Sequence, residues 1–552
     1  MREGKSHRIT SPRVLTSVLL ALALAACTAG PDFARPKPSS QAGYVTGPLP
    51  EQTRSAPGLG GESQYFLVGE ELPPGWWHWF GSPAIVALVE QAFASSPNLA
   101  AARARLRQAE AQLRAQRGVL LPEIGATGSL SYGSGGGGGS GQGGSFGQGQ
   151  GAGRPDQAGE DPTAEQPGDG ADQAGQFGGD PFTVYTAGAT ISYDLDLAGR
   201  NRRLVEAARA EFELQRQDLQ AAYLALIGNI VSAALESASL RTQIAAREEL
   251  LEGQEERLEL IRIRVEEGAD ARANQVTALA EIATLRASIP PLRQSLAASD
   301  NRLGLLIGQA PAEAAIPRIE LEEVRLPRAV PISLPSRLVR TRPDILAAEA
   351  VLARTSAEIG VATADLYPNI TLDASFGLAG GADGLGLGSP QGIFDLGGNL
   401  LAPLFDGGRR RAQRDVAVAA FQEALALYRE QVLTAFVEVA DGIRALENDA
   451  EALADRRVAL EAAEESFELA QFRESEGAIS AIEVLVVQQQ YQEARFSYID
   501  AVAERFQDTA ALFAALGPGP LDESDLSGIA AREHLDYTRA SLDAGSIAEE
   551  GL

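Results

Sequence analysis

Cysteine occurs once in the 552 residues, methionine once and histidine three times. A lone cysteine cannot pair within its chain, which excludes a disulfide scaffold. His7 lies in the first few residues, so only His78 and His534 remain for imidazole chemistry. So few thiols, thioethers and imidazoles also leave little to build a metal site from. Lys5 and Lys37 are the only lysines, and no Walker loop is present. Acid pairs abound, but on stretches this charged they read as solvated faces rather than catalytic dyads. No enzyme and no small-molecule cofactor are expected. Positive charge is scarce too: 47 Lys and Arg stand against 74 Asp and Glu, a net charge of −27, which argues against nucleic acid as a partner. Proline is missing from Arg200 to Ile289 and from Leu404 to Gly517. Beyond the N-terminus no apolar run looks long enough for a membrane helix, so a membrane-spanning chain would have to use strands.

The N-terminus reads as an export signal. Arg2, Lys5, Arg8 and Arg13 precede a short apolar run from Val14 to Ala23, and Leu24-Ala25-Ala26-Cys27 follows. That ending resembles a lipobox, whose cysteine is acylated and becomes the first residue of the mature chain. Cys27 is therefore the expected lipidation site, and Thr28 after it favours sorting to the outer membrane. Removing residues 1–26, with four basic residues and Glu3, takes the net charge from −27 to −30.

Two blocks recur without gaps. Pro97–Ile124 matches Pro343–Ile370 at an offset of 246, and Gly199–Gly308 matches Gly408–Gly517 at an offset of 209. Arg200, Phe212, Arg264, Glu267, Gly268 and Ala269 thus fall on Arg409, Phe421, Arg473, Glu476, Gly477 and Ala478. The offsets differ by 37 residues, supplied by a Gly-rich tract between Gly133 and Gly179 whose composition cannot bury apolar surface. Gly143-Gly144-Ser145-Phe146-Gly147 in that tract matches G-x-S-x-G by accident, with no strand before it and no helix after it. Each copy reads helix, strand, loop, strand, long helix, turn, helix: an internally duplicated domain.

In the first copy a seam runs Leu219, Tyr223, Leu226, Ile230, Ala233, Ser237, Leu240, Ile244 and continues, interrupted, through Leu251, Leu258, Ile261 and Val265. Its spacing is that of a coiled coil. A helix from Arg200 to Glu267 would be roughly 100 Å long at about 1.5 Å per residue. Gly268 and Gly477 read as hairpin turns at the far ends of the long helices, with Pro290-Pro291 interrupting the return helix of the first copy only. Four other segments alternate with period two. In the second, Tyr185, Ala187, Ala189, Ile191, Tyr193 and Leu195 face one way, opposed to Val184, Thr186, Gly188, Thr190, Ser192 and Asp194. One face suits lipid and the other water. Four strands cannot close a barrel around a lumen, so subunits must pool strands.

These features resemble the outer-membrane efflux factor family of the TolC and OprM type, in particular its lipoprotein branch. The resemblance rests on Trp76-Trp77-His78-Trp79-Phe80, Arg342-Pro343-Asp344-Ile345, Ala347-Ala348-Glu349, Ile359-Gly360-Val361-Ala362, Leu366-Tyr367-Pro368-Asn369-Ile370 and the two glycine turns, and it covers about residues 15–517. It implies a mixed α/β membrane protein with internal duplication: a long antiparallel coiled-coil helical barrel, plus four strands per subunit contributing to a trimeric twelve-stranded transmembrane β-barrel. It further implies a homotrimer in outer-membrane lipid, a periplasmic adaptor and an inner-membrane pump of the RND type. Arg264, Gly268, Arg473 and Gly477 would then form adaptor-contacting tips. The family often carries an acidic gate residue nine positions after the second tip glycine; here that position is Val486. Ile482 as an apolar constriction, Glu483 as the nearest acid and Asp270 as a second acidic ring are the gate residues expected instead.

The expected division is a signal (1–26), a lipid-anchored periplasmic segment (27–83), a first repeat (84–308), a periplasmic connector (309–342), a second repeat (343–517) and an acidic tail (518–552). Strands are expected at 122–132, 182–195, 368–378 and 396–405, with an extracellular loop at 133–180. The expected function is the passive exit duct of a tripartite drug or small-molecule efflux system. The exit duct of a type I protein secretion system and a non-conducting coiled-coil envelope lipoprotein are the alternatives.

Overall fold

The computed structural model describes residues 28–37, 43–133, 182–383 and 389–517, without the side chains of Phe182, Ala382, Asp383, Ala481 and Ile482. The signal, Cys27, the Gly-rich tract from residue 134 and the acidic tail lie outside the described residues. Two compact units are present. One comprises the described parts of 118–198 and 367–404; the other comprises the described parts of 26–117, 199–366 and 405–517.

The first unit is a four-stranded antiparallel sheet in the order β2-β3-β5-β6, from β2 (Glu123–Gly133), β3 (Phe182–Asp194), β5 (Asn369–Asp383) and β6 (Gln391–Leu401). The register places Ile124, Ile191, Ala374 and Leu396 in one row across the sheet, and Ala126, Ala189, Phe376 and Phe394 in the next. The intervening rows are polar: Glu123, Ser192, Asp373 and Gly397, then Gly125, Thr190, Ser375 and Asp395. Ser192 donates to Asp373 (2.9 Å), and the Ser129 and Thr186 hydroxyls are 2.7 Å apart. The apolar rows carry large exposed side chains, including Ile124 (72%), Phe376 (70%) and Phe394 (87%). Among the described residues β2 and β6 each pair on one side only. The first three strands begin within one residue of the expected positions. The fourth begins five residues earlier than expected, because Gly392, Gly397 and Gly398 thin its alternation.

The second unit is helical. Its elements are β1 (Tyr65–Val68), a 3₁₀ turn (Trp76–Phe80), α1 (Pro83–Ser95), α2 (Pro97–Gly118), α3 (Arg200–Glu266), α4 (Arg272–Leu306), a 3₁₀ turn (Leu321–Glu323), β4 (Ala329–Ile332), α5 (Pro335–Thr341), α6 (Pro343–Ala364), α7 (Arg409–Ser475) and α8 (Ala481–Leu516). Both α3 and α7 span 67 residues, and both α2 and α6 span 22. Each long helix starts after a left-handed glycine, Gly199 (φ 79°) or Gly408 (φ 88°).

Two expectations are corrected and one is extended. Pro290 and Pro291 do not interrupt α4, which runs through both. Both prolines are exposed, so the carbonyls their missing N–H groups leave unbonded face water. The coiled-coil seam is only part of what α3 buries: Ile227, Val231, Ala234, Leu235 and Ala238 are fully buried too. The cause is a collar around mid-helix, in which β1 pairs in parallel with β4, joining the segments assigned to an N-terminal arm and a connector. Trp76 anchors the collar against Phe513 (ring centroids 5.6 Å) and Phe80 (6.1 Å). Lastly, one 18-residue window of α3 is apolar enough to cross a membrane, with mean hydropathy 1.4; 56% of it is buried within the chain, so it serves the core.

Candidate functional site

The residues expected to act at the helical tips come together in two hairpin turns of the same construction. In the first, Gly268 (φ 75°) follows α3, its N–H donates to the Val265 carbonyl (3.1 Å), and the Ala269 N–H donates to the Arg264 carbonyl (2.7 Å). In the second, Gly477 (φ 70°) donates to Glu474 (2.9 Å) and Ala478 donates to Arg473 (2.8 Å). This is the Schellman pair of bonds, and its left-handed residue favours glycine. Arg264 and Arg473 thus supply the carbonyls that close each turn. Their side chains are exposed and make no hydrogen bond or ion pair among the described residues.

The two acids expected at the gate have local duties. Asp270 accepts from the Ala271 N–H (2.7 Å) and from the Asn274 amide (2.7 Å), which stiffens the first turn. Glu483 sits at the third position of α8 and completes a capping box. The Glu483 N–H donates to the Ser480 hydroxyl (3.4 Å), and the Glu483 carboxylate accepts from the Ser480 N–H (2.8 Å). Those bonds from Ser480, the backbone one foremost, hold its carboxyl below the usual carboxylate range, with a smaller contribution from Arg473. Sequence reasoning missed this box although Ser480-Ala481-Ile482-Glu483 spells its S-x-x-E pattern. The backbone of Ile482 opens the same helix, while its side chain lies outside the described residues. Cys27 lies outside them as well.

Two further arrangements had no sequence signal. Arg257 on α3 donates to Glu474 on α7 (2.8 Å), tying the two hairpins together near their tips, with both side chains mostly buried. Exposed apolar residues flank the same region: Leu260, Ile263, Val276 and Leu279 in the first hairpin, Leu469, Phe472 and Val486 in the second. At the other end of α3, Arg203 has a side chain only 4% exposed. It donates to the carbonyls of Ala29 (3.1 Å) and Gly30 (3.3 Å) and to the carboxylates of Asp32 (2.8 Å) and Glu206 (2.6 Å). The strap that begins one residue after Cys27 is therefore clamped to α3. Gly30 and Gly360 let it lie close: a Cβ on Gly30 would stand 2.5 Å from the Gly360 Cα.

No group of three metal-ligating side chains occurs among the described residues. The chemistry available is that of surfaces: an apolar sheet face, a polar and acidic opposite face, and hairpin tips whose arginines have no ion-pair partner among the described residues.

Comparison with known proteins gives a consistent result. A family described as outer membrane efflux protein matches residues 88–309 and 334–518. The pyoverdine export outer membrane protein OpmQ of Pseudomonas aeruginosa is 30% identical over 458 residues, covering 83% of this chain and 90% of that protein. Outer membrane protein OprJ of the same species is 32% identical over 346 residues, covering 61% of this chain and 70% of that one. The solved structure of the outer-membrane channel OprN matches with a TM-score of 0.72 at 27% identity, covering 89% of this chain and 99% of that one.

Proposed function

Because the chain belongs to the outer membrane efflux protein family, we propose that three copies close one conduit, with their sheets joined edge to edge into a twelve-stranded barrel and their helical hairpins extended as a tunnel. The protein is an outer-membrane efflux channel with a large periplasmic extension. One observation carries the assembled state: the four-stranded sheet exposes an apolar face and, among the described residues, leaves β2 and β6 unpaired on their outer sides. In lipid each unpaired backbone group costs several kcal/mol, so the edges must meet other edges. Four strands curl too little to meet each other around a lumen.

In this assembly the apolar rows face lipid and the rows of Glu123, Asp373, Ser375 and Asp395 line water. Such a lining favours cationic and neutral small solutes over anions. An acylated Cys27 tethers each subunit, and the clamp at Arg203 fixes where the tether leaves the helices. The tips around Gly268 and Gly477 present Arg264 and Arg473 to a periplasmic adaptor that links the channel to an RND-type inner-membrane pump. OpmQ is named for pyoverdine export and so supports a small-molecule cargo over a protein. The detergent-solubilised protein should have the mass of three chains carrying lipid. A monomer that stays soluble without detergent and keeps its helical content would overturn the proposal.

A further inference from the structure

The repeat holds a template for the contact between subunits. The offset of 209 that relates α3 to α7 also relates α4 to α8, with Gly268 on Gly477 and Gly308 on Gly517. The rule can be checked inside the chain. A Cβ on Gly442 of α7 would lie 3.1 Å from the Leu512 Cβ of α8. Subtracting 209 gives Ala233 and Leu303, and both are fully buried where α3 meets α4. Long helix against its own return helix therefore packs the same way in both copies.

The first copy's long helix makes a second contact, with the second copy's return helix. In it α3 meets α8: a Cβ on Gly228 would stand 3.4 Å from the Cβ of Ala514. Asn229 and Ser232 line the same groove opposite Ala510 and Ala511. The repeat demands the equivalent contact, α7 against α4, but within one chain it is missing. Adding and subtracting 209 turns Gly228 and Ala514 into Val437 and Leu305, and turns Ser232 and Ala511 into Asp441 and Arg302. Val437 is 56% exposed and Leu305 is 72% exposed, so both halves of the apolar pair stand uncovered. Asp441 is exposed and makes no hydrogen bond or ion pair among the described residues; Arg302 reaches only Asn229 (3.1 Å). The missing contact thus pairs leucine with valine and arginine with aspartate.

We infer that α4 of one subunit lies antiparallel against α7 of the next, with Leu305 packed on Val437 and Arg302 bonded to Asp441 of the neighbouring copy. This rests on the ring reading above and adds which surfaces meet. The contact is head-to-tail, so it closes only as a ring. A second consequence follows from residue size. The contact inside the chain is Gly on Ala and the contact between chains is Val on Leu. Helix spacing tracks side-chain volume within about 8–10 Å. The tunnel is therefore threefold with alternating close and wide gaps, not sixfold.

Cross-linking tests it. In full-length lipidated protein, Leu305→Cys combined with Val437→Cys should give dimers and trimers on a non-reducing gel after an oxidant or a short bis-thiol linker. Neither single variant should do so, and Cys27 is removed from the reaction by its acyl chain. In parallel, Arg302→Asp and Asp441→Arg should each lower the fraction of trimer in detergent severalfold, and the double exchange should restore it. A trimer that neither cross-links nor shows rescue overturns this pairing and leaves the ring intact. Absence of any trimer in the unmutated protein overturns the ring and this pairing together.

Discussion

Replacing Arg203 with methionine should release the strap behind Cys27 without melting the helices. Arg203 is 4% exposed and holds the strap by bonds to Ala29, Gly30 and Asp32. A hydrogen bond to a charged group contributes about 1.5–3 kcal/mol. The three here are not additive, because Asp32 is 90% exposed and regains water when let go. The freed carbonyls likewise find water once the strap lifts. A net cost of about 2–3 kcal/mol follows, which is roughly 30- to 150-fold in the local opening equilibrium. Cleavage within 28–37 by a non-specific protease, under conditions where reclosing outpaces cleavage, should accelerate by that factor, while amides of α3 around Ile230 stay protected from hydrogen exchange. Gly360→Ala should reproduce the effect by a different route, since its Cβ would sit 2.7 Å from the Arg203 Cδ. Unchanged cleavage of the strap, or faster cleavage accompanied by lost exchange protection at mid-helix, would refute the clamp.

The gate residues can be separated by chemistry. Glu483→Gln keeps an N3 side chain able to complete the capping box but removes the charge; it should lower cation preference in single-channel recordings, whereas Ser480→Ala, which breaks the cap and keeps the charge, should not. Ile482→Gly should raise open probability, and unchanged conductance in both gate variants would move the constriction elsewhere. Asp449 on α7 is pushed up to about 7 by burial and by Asp508 beside it, with Glu504 adding and Arg505 opposing. The folded chain then holds a proton that the unfolded chain releases near the ordinary carboxylate value, so stability falls as pH rises from about 4 to 7. Asp449→Asn should flatten the dependence of Tm on pH across that window; parallel curves for variant and parent would contradict it.

Much of this was legible because the sequence repeats itself. The shared offset of 209 predicted two long helices, both tip glycines and two return helices, and all six features appear at the expected positions. Alternation found β3 because Tyr185, Ile191 and Tyr193 stand against Thr186, Thr190 and Ser192, a contrast strong enough to show through Val184 and Gly188. It lost the start of β6 because glycine carries no polarity to alternate. Pro290-Pro291 misled because proline marks a missing donor, while an exposed helix face tolerates that loss. The collar was invisible for another reason: β1 and β4 are four-residue strands more than 250 positions apart, with no local pattern linking Tyr65 to Ala329. The Arg203 clamp and the Arg257–Glu474 bond are likewise products of tertiary approach. Glu483 is the opposite case, since its capping partner stood three residues away and the acid was read for its charge alone.

The central claim is that this chain forms a closed aqueous conduit through lipid, and conductance across a planar bilayer tests it most directly. Purified full-length protein should insert as discrete, equal current steps with a preference for cations, from the acidic rows at Glu123, Asp373 and Asp395. Protein that binds the bilayer firmly yet passes no current, even with the tip opened by Ile482→Gly, would contradict the account.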